Sequence, residues 1–435
     1  MNLLPDFVVP LTVGTVTLFA SVLCAQAPAR TARKPAEPAV EELLAKIAAN
    51  RGVPAGTKDA SIAFEGTFSV SFKDMPAPVM KGAFGEFFVG KDLARCTCEM
   101  GGFGAMERGI HKDAVWEVDP SLGAKVHRGD NAAAARRYFA LLRGEDPRSV
   151  YQEFTKTGTQ AIDGRDVTVL RMTAAEGKPD VWYVDADGNV VRVDMALPAP
   201  ESADATWGIS DLMDSEITFA DWQKVEGGRF PMRRTQQMGP ATMSYVCSKI
   251  TVGASIGAAK FTPPEAVAKV KNEPTLPAIG PDGKPTYQVI DRQLQHVASI
   301  RIKVKPAEIS TQLGIVLPEV WAHLNAVSAK MAGPPFARYH TFSDTDIDLE
   351  AGIPVQKPIE AKGRIVNSEL PAGKTVTCWH IGPYEKLKGA HEGLQAHLAE
   401  KKLKARGGPW EVFWTDPGMV PDPSKWKTQL FAPIE

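Results

Sequence analysis

One acidic residue stands in the middle of an aromatic run near the end of the chain, Trp410-Glu411-Val412-Phe413-Trp414. Strand alternation places Glu411 and Phe413 on one face and the other three residues on the opposite face. A buried carboxylate without a partner is costly, so it should be protonated or await a counter-charge. Beside aromatic rings it suits an organic cation, through an ion pair and cation–π contact. The alternative is a structural Glu411 bound to a backbone donor or to Arg338.

Two histidines upstream have the type, but not the spacing, that zinc chemistry requires. His391-Glu392 resembles the start of an H-E-x-x-H motif, yet Gln395 stands where the second histidine belongs. His397 follows six residues after His391 and therefore points to a different helix face. We interpret this segment as a solvated helix surface.

The cysteines could form a disulfide or bind a metal ion. Cys96 and Cys98 alternate onto one face of a predicted strand, at a spacing too short for an easy mutual bridge. A bridge from one of them to Cys247 would suit an oxidising compartment. No histidine or second cysteine pair stands at zinc-finger spacing. The sequence therefore predicts no metal site and no cofactor, and leaves the Cys247 bridge open.

The elements that must position Glu411 recur within the C-terminal third of the chain. From Tyr287 the pattern is strand, long helix and strands, and the same order then repeats. The predicted helices run from Ile309 to Lys330 and from Tyr384 to Ala405. The predicted strands are Val297–Val304, Arg338–His340, Ile347–Glu350, Thr375–Ile381, Trp410–Trp414 and Gln429–Phe431. This is a duplicated α+β unit of about seventy residues per copy, and paired units of that size must share one core.

Residues 287–435 resemble the GyrI-like, or AraC effector-binding, domain that is also found in multidrug-sensing regulators. Four motifs occur in the order typical of that family: 333-GPPFARYH-340, 348-DLEAGIPV-355, 380-HIGPYEKL-387 and 410-WEVFWTDP-417. The resemblance implies a concave antiparallel sheet with its helices on one side and a ligand groove between the halves. It also implies a carboxylate at Glu411 that attracts lipophilic cations.

The same resemblance implies an aromatic pocket around Glu411. Carried over residue by residue, its members are Tyr384, Phe413, Trp426, Trp379 and Phe336. The family often has tyrosine where Phe413 stands, so a hydroxyl is lost here. The regulators of this family pair the domain with a DNA-binding helix-turn-helix, and the sequence contains no such motif. Transcriptional activity is therefore not implied.

The N-terminal two thirds of the chain reads as a large antiparallel sheet with few helices. Alternating residues predict strands at 62–70, 167–171, 181–184, 217–219 and 243–245, with a turn at Asp185-Ala186-Asp187-Gly188. Helices are predicted over Glu41 to Ala49 and Ala132 to Arg143. This order excludes alternating βαβ units.

Motifs in this region are similar to those of the LolA-like lipoprotein-sorting fold. They include 162-IDGRDV-167, 182-WYVD-185, 219-FADW-222, 227-GGRFP-231 and 261-FTPP-264, and the similarity covers roughly residues 40 to 268. It implies an antiparallel half-barrel around an apolar cavity, which would take acyl chains or another apolar ligand. The alternative is a curved sheet with a filled core. The predicted domains are therefore a LolA-like half-barrel at 41–270 and a GyrI-like domain at 287–435, joined by a linker at 271–286 that is rich in proline and glycine.

The N-terminus indicates export. Residues 7–25 are uncharged and apolar, and A-x-A patterns follow at Ala25 to Ala27 and at Ala27 to Ala29. We predict a signal peptide at 1–29, or a membrane anchor if it stays uncleaved, and a flexible leader at 30–40. Apart from that anchor, no membrane contact is expected. The net charge is −1, and the sequence shows no concentration of basic residues that would predict a basic face. No nucleic-acid partner is therefore expected.

Together these features predict an exported, periplasmic or envelope-associated protein that captures an amphipathic or cationic organic molecule. In this hypothesis the half-barrel holds an apolar ligand such as a lipid. The first alternative is a hydrolase of electrophilic small molecules, with Glu411 as acid or base. The second is an envelope protein that handles lipids or lipoproteins, or that is structural.

Overall fold

The computed structural model describes residues 35–50, 61–73, 78, 80–100, 104–120, 123–198, 212–225, 228–253, 255–270, 279–280, 283–343, 345–418, 420 and 422–435. The predicted signal peptide lies outside these residues, as do residues 30–34 of the predicted leader and most of the linker. Within the described ranges, no helix combines the length and apolar character needed to cross a membrane.

The N-terminal domain is built on one antiparallel sheet, which has thirteen strands in the described part of the chain. They are β1 (Ser61–Phe72), β2 (Met80–Val89), β3 (Leu93–Glu99), β4 (Ala105–His111), β5 (Ala114–Asp119), β6 (Gly123–His127), β7 (Glu153–Ile162), β8 (Arg165–Thr173), β9 (Asp180–Asp185), β10 (Val190–Pro198), β11 (Leu212–Val225), β12 (Gly228–Met238) and β13 (Ala241–Val252). The sheet order is β6-β5-β4-β3-β2-β1-β13-β12-β11-β10-β9-β8-β7. Two meanders are thus joined where β1 pairs with β13.

Two helices cover the curled sheet and make it a half-barrel. They are α1 (Pro38–Asn50) and α2 (Gly129–Leu142), and α2 connects the two edge strands, β6 and β7. Leu44 and Ile47 of α1 and Phe139 of α2 are fully buried in the same core as the inward residues of the strands. Because the sheet curves, these two helices pack against its inner face and bury part of its apolar residues. A short helix, α3 (Glu265–Ala268), follows β13.

The C-terminal domain has a second antiparallel sheet, with eight strands among the described residues. Its elements are β14 (Tyr287–Arg292), β15 (Gln295–Val304), α4 (Ile309–Ala326), β16 (Phe336–Phe342), β17 (Ile347–Pro354), β18 (Val366–Leu370), β19 (Gly373–Ile381), α5 (Leu387–Glu400), β20 (Trp410–Phe413) and β21 (Lys427–Pro433). The strand order is β14-β19-β21-β20-β16-β17-β15-β18.

The sheet order shows the predicted duplication. The strands β15, β16 and β17 with α4 form one half, and β19, β20 and β21 with α5 form the other. The halves meet where β16 pairs with β20. The strand that precedes each half pairs with the opposite half, β14 with β19 and β18 with β15. The two copies therefore form one continuous sheet, as the sequence predicts.

Most predicted elements lie where they were expected, and the differences have local causes. Both long helices of the C-terminal domain end earlier than predicted, because Ser328 and Lys402 adopt positive φ angles of 52° and 55°. The predicted turn before β10 is present, with Gly188 at a φ of 84° donating its N–H to the Asp185 carbonyl at 3.0 Å. The side chain of Asp185 accepts from two further backbone N–H groups in that turn.

The cysteines of the N-terminal sheet are buried free thiols. Cys96 and Cys98 lie on β3, whereas Cys247 lies on β13, with β2 and β1 between these strands. Two intervening strands separate the thiols by about 14 Å along the sheet, beyond disulfide reach. Cys247 instead contacts the carbonyl oxygens of Glu65 and Lys249, at 3.6 and 3.3 Å. The bridge that the sequence left open is therefore not formed in this structure.

Candidate ligand-binding site

Glu411 occupies the centre of the C-terminal sheet, at the junction of its two halves. It lies on the short strand β20, between Ala337 of β16 and Leu430 of β21. Its side chain is 3% exposed. The residue directly opposite it across the junction is alanine, whose methyl group leaves room for the longer carboxylate side chain. At the junction of the two halves, one half therefore contributes a carboxylate, Glu411, and the other contributes an alanine, Ala337.

Two side chains hold the carboxylate from the helix side of the sheet. The Tyr339 hydroxyl donates to Glu411 Oε2 at 3.1 Å, and His391 Nε2 lies 2.6 Å from Oε1. The rings of Tyr339 and His391 pack edge to face, with centroids 5.5 Å apart. Burial, and then the charge of Glu411, raise the pKa of Tyr339 well above its usual value. Tyr339 therefore remains a hydrogen-bond donor throughout the physiological range.

Arginine does not neutralise Glu411. Arg338 points to the opposite face of β16, pairs in register with Trp410, and donates to the Glu369 carbonyl at 3.3 Å. Among the residues that the structure describes, no lysine or arginine nitrogen lies within 4.0 Å of the Glu411 carboxylate. Of the alternatives weighed from the sequence, clamping by Arg338 is thus excluded, and two side-chain donors replace the backbone donor.

Three of the predicted aromatic residues lie together beside Glu411. The Tyr384 ring packs against Phe413 and Trp426, with centroids 5.4 and 4.7 Å apart. The Tyr384 hydroxyl donates to the Thr415 carbonyl at 3.0 Å, and Trp426 Nε1 donates to the Val420 carbonyl at 2.8 Å. Because the backbone satisfies both polar groups, the remaining ring surfaces present an apolar, π-rich wall.

The other two predicted pocket residues lie elsewhere. Phe336 is fully buried on the opposite face of the sheet, in a core cluster with Trp410 and Phe431. The Trp379 ring packs on Trp414, with centroids 5.9 Å apart. Neither Phe336 nor Trp379 borders the cavity beside Glu411. Strand alternation explains Phe336, since it shares a face with Val412 rather than with Glu411.

His391 corrects the interpretation of this helix as a solvated surface. Its side chain is 21% exposed and contacts Glu411. Its place on α5 continues the buried stripe of Leu387, Leu394 and Leu398, at spacings of four, three and four residues. That spacing was a usable signal, because a histidine within an apolar stripe faces the sheet. His397 lies elsewhere, stacked on Tyr287 with ring centroids 4.1 Å apart.

A cavity of about 2120 Å³ borders this cluster and extends to the N-terminal domain. On the C-terminal side its wall includes Tyr339, Tyr384, His391, Glu411, Phe413 and Trp426. The remaining wall includes Phe68, Met106, Arg108, Gln236, Met238 and Met243 of the half-barrel. The half-barrel is therefore not completely filled by its own side chains. No cluster of three or more metal-ligating side chains occurs among the residues described.

The family comparison matches the domain that carries Glu411. The model of the GyrI-like small molecule binding domain matches residues 285–435. These residues form a GyrI-like domain. The resemblance predicted from the sequence is confirmed for this part of the chain, and ligand binding in general follows from the family description. No curated protein matches the chain.

Solved structures resemble each domain separately. EcmrR, in a structure with DNA, is 22% identical with a TM-score of 0.32, and the match covers 34% of this chain and 57% of EcmrR. A LolA superfamily protein from Nitrosomonas europaea is 12% identical with a TM-score of 0.34, covering 51% of this chain and 97% of its own. A hydrolase from Listeria innocua is 14% identical with a TM-score of 0.26, covering 34% and 91%. The chain thus spans little more than half the length of EcmrR.

Proposed function

We propose that the GyrI-like domain binds an amphipathic organic cation, with Glu411 as its counter-charge and Tyr384, Phe413 and Trp426 as its aromatic wall. One observation carries this proposal. A carboxylate side chain that is 3% exposed borders a large cavity and is held by Tyr339 and His391, neither of which bears a fixed positive charge. An ionised Glu411 therefore keeps its charge available to a ligand.

The magnitudes favour a cation over a neutral ligand. A charge pair about 4 Å apart gains roughly 4 kcal/mol at an effective dielectric constant of about 20. Cation–π contact with a desolvated ring adds up to about 2 kcal/mol. A neutral ligand of equal size receives only the apolar contact. Charge thus sets selectivity, and the aromatic wall contributes to affinity for any flat or bulky apolar body.

The matched ions tetraphenylphosphonium and tetraphenylborate test the sign of the charge, because they share a shape. We expect tetraphenylphosphonium to raise the melting temperature of the full chain and Glu411→Gln to weaken its binding at least tenfold. Glu392→Gln is the control, since Glu392 is exposed at the rim of the same cavity. Equal binding of the cation by wild type and Glu411→Gln would refute the proposal, and so would the absence of any binding.

We propose further that this binding takes place in an exported compartment. The apolar segment at 7–25 and the A-x-A patterns after it support the proposal. Fusing residues 1–34 to a reporter enzyme that is active only outside the cytoplasm tests it. A reporter that stays inactive would contradict export, whereas the mass of the mature chain distinguishes cleavage from anchoring.

A second candidate is the hydrolysis of an electrophilic small molecule. The short contact between His391 and Glu411 favours it, because a carboxylate that orients a histidine at a cavity wall is a common acid–base arrangement. Turnover of a strained electrophile that is lost in both Glu411→Gln and His391→Gln would support the enzyme. If wild type binds the electrophile without turning it over, the result would contradict the hydrolase and support ligand binding only.

A further inference from the structure

His391 is the partner of Glu411 whose charge can change near neutral pH. Its Nε2 lies 2.6 Å from Glu411 Oε1, and its partly exposed side chain borders the cavity. Histidine is the side chain that ordinarily gains or loses its charge between pH 5 and pH 8. A neutral His391 gives the carboxylate a hydrogen bond, whereas a protonated His391 gives it an ion pair. The same contact therefore compensates the charge of Glu411 to a different extent at different pH.

The tyrosines beside the carboxylate keep their protons over this range. Burial, and then the charge of Glu411, raise the pKa of Tyr339 well above its usual value. Burial, and then the charges of Asp416 and Glu411, raise the pKa of Tyr384. Asp416 itself is exposed, and it accepts a hydrogen bond from the Gly418 N–H at 2.8 Å. Neither tyrosine can therefore supply the change in charge.

The titratable groups on the strands that adjoin α5 are neutral or engaged elsewhere. From β19, the Cys378 thiol is buried and its pKa is raised to about 12, so it carries no charge near neutral pH. His380 of the same strand contacts the Pro383 carbonyl oxygen at 3.1 Å. On α5 itself, His397 is stacked on Tyr287 of β14. These groups act on His391 without contacting the carboxylate that it contacts.

The remaining charges around the cavity have both signs. Lys388 and Glu392 of α5 are exposed at its rim, and salt screens such charges. His340 of β16 borders the cavity too, but it is paired with Glu350 of β17 at 2.7 Å. The half-barrel wall contributes Arg108, Lys178, Glu117, Asp119 and Asp214. His391 is thus the titratable side chain whose proton lies against the carboxylate of the site.

We infer that an organic cation and a proton on His391 compete for Glu411, so that the site takes up its ligand at neutral pH and releases it as the pH falls. This inference rests on the cation-binding function proposed for Glu411. An imidazolium and a ligand cation both need the same negative charge, and they repel each other across it. The bound cation therefore replaces the proton, which leaves neutral His391 for the solvent. His391 in this way determines the pH at which the site is selective for its ligand.

Calorimetric titration of the full chain with tetraphenylphosphonium between pH 5.5 and pH 8 is the first test. We expect the affinity to fall toward the acidic end by at most about tenfold per pH unit, because one proton competes with one cation. Repeating the titration in buffers of different ionisation enthalpy counts the protons that binding releases. We expect up to one proton at pH 5.5 and a number near zero at pH 8. An affinity that is independent of pH would overturn the inference.

His391→Gln distinguishes a proton on the histidine from a proton on Glu411, which would also weaken cation binding at low pH. Glutamine keeps an N–H donor but does not titrate. We expect the variant to bind tetraphenylphosphonium with nearly the same affinity at pH 5.5 and pH 8, and without releasing a proton. If the pH dependence of wild type persists in a folded His391→Gln, the proton is not on His391 and the inference is wrong.

Two other histidines provide matched controls. His397→Gln changes a histidine of the same helix that is stacked on Tyr287, and His340→Gln changes the cavity histidine that is paired with Glu350. We expect both variants to keep the pH dependence and the proton release of wild type. Loss of the pH dependence in either control would show that the competing proton belongs to another histidine.

The cation site and its coupling to a proton can fail separately. If tetraphenylphosphonium does not bind at any pH, the function proposed for Glu411 fails, and this inference fails with it. If the ion binds, is lost in Glu411→Gln and shows no dependence on pH, the cation site stands and only the competition with His391 is overturned.

Discussion

Tyr339 and His391 determine how strongly Glu411 depends on a ligand. Both side chains contact the Glu411 carboxylate in the domain without a ligand, Tyr339 as a donor at 3.1 Å and His391 at 2.6 Å. Each also lowers the gain from an incoming cation, because part of the negative charge is already compensated. Stability without ligand and affinity for a cation should therefore change in opposite directions when one donor is removed.

Tyr339→Phe tests this opposition. We expect the variant to lower the free energy of unfolding of the C-terminal domain by about 1–2 kcal/mol, since Glu411 Oε2 loses its donor. We expect its affinity for tetraphenylphosphonium to rise several-fold. Tyr384→Phe is the matched control, because its hydroxyl donates to a backbone carbonyl and not to a carboxylate. Urea unfolding and calorimetry give the two quantities. A Tyr339→Phe variant that loses both stability and affinity would contradict the opposition.

At this scale the sequence predicted the acid but not the side chains that hold it. Glu411 could be found because a charged residue within an aromatic strand is conspicuous. His391 and Tyr339 are separated from it by 20 and 72 residues and meet it only through sheet order and helix packing.

Among the secondary-structure elements, the junction between β16 and β20 sets the position of the site. Just before β20, the backbone passes so close to β16 that a Cβ on Gly408 would lie 2.0 Å from the Tyr339 carbonyl oxygen. The Pro409 carbonyl accepts a hydrogen bond from the Tyr339 N–H at 2.9 Å. The two strands thus hold Glu411 and Tyr339 in contact through this close approach.

Gly408→Ala should therefore separate the strands. We expect it to lower the stability of the domain by about 1–3 kcal/mol, as overpacking does, and to weaken cation binding. Gly389→Ala on α5 is the control, and we expect it to change the stability of the domain in the opposite direction. Nothing lies within 4 Å of a Cβ at that position, so it should gain up to about 1 kcal/mol of helix stability. Thermal unfolding of both variants checks the pair, and equal effects would contradict the role of the junction.

The periodicity of the sequence predicted the main helices and the central strands of both domains, but not the edges. The strands β14 and β18 were missed because each carries several exposed residues and lacks a clear alternating pattern. Such strands form because a neighbouring strand offers unpaired backbone groups, which is a property of the assembled sheet. The order of the thirteen strands likewise depends on where β1 meets β13, far apart in sequence.

For the whole molecule, the reactivity of the cysteine thiols measures whether the protein is folded. Four cysteines among the described residues are buried and free, and burial raises the pKa of Cys378 to about 12. Native protein at pH 8 should react slowly with a thiol reagent, because little thiolate is present. Unfolding without reductant should release at least four reactive thiols. A smaller number would show that a disulfide forms in solution.

The same shifts imply a direction for the pH dependence of stability. The folded state holds these protons more tightly than the unfolded chain, in which cysteine has a pKa of about 8.5. Their contribution is therefore intact below about pH 8.5 and is lost as the pH rises toward the folded-state values. Urea unfolding at pH 7 and pH 10 should show lower stability at the higher pH, and Cys378→Ala should reduce that difference.

The pairing of β14 with β19 also decides which strand forms the edge of the C-terminal sheet. The first strand after the linker covers the side of β19 that would otherwise be the rim of the sheet, next to the half that carries Glu411. If the chain were cut between Arg292 and Gln295, that rim would offer its open amides and carbonyls to another copy, in the manner of an aggregating strand. The six-residue β14 thus replaces the nine-residue β19 as the open edge beside the ligand-binding half, and a shorter edge offers fewer unpaired backbone groups.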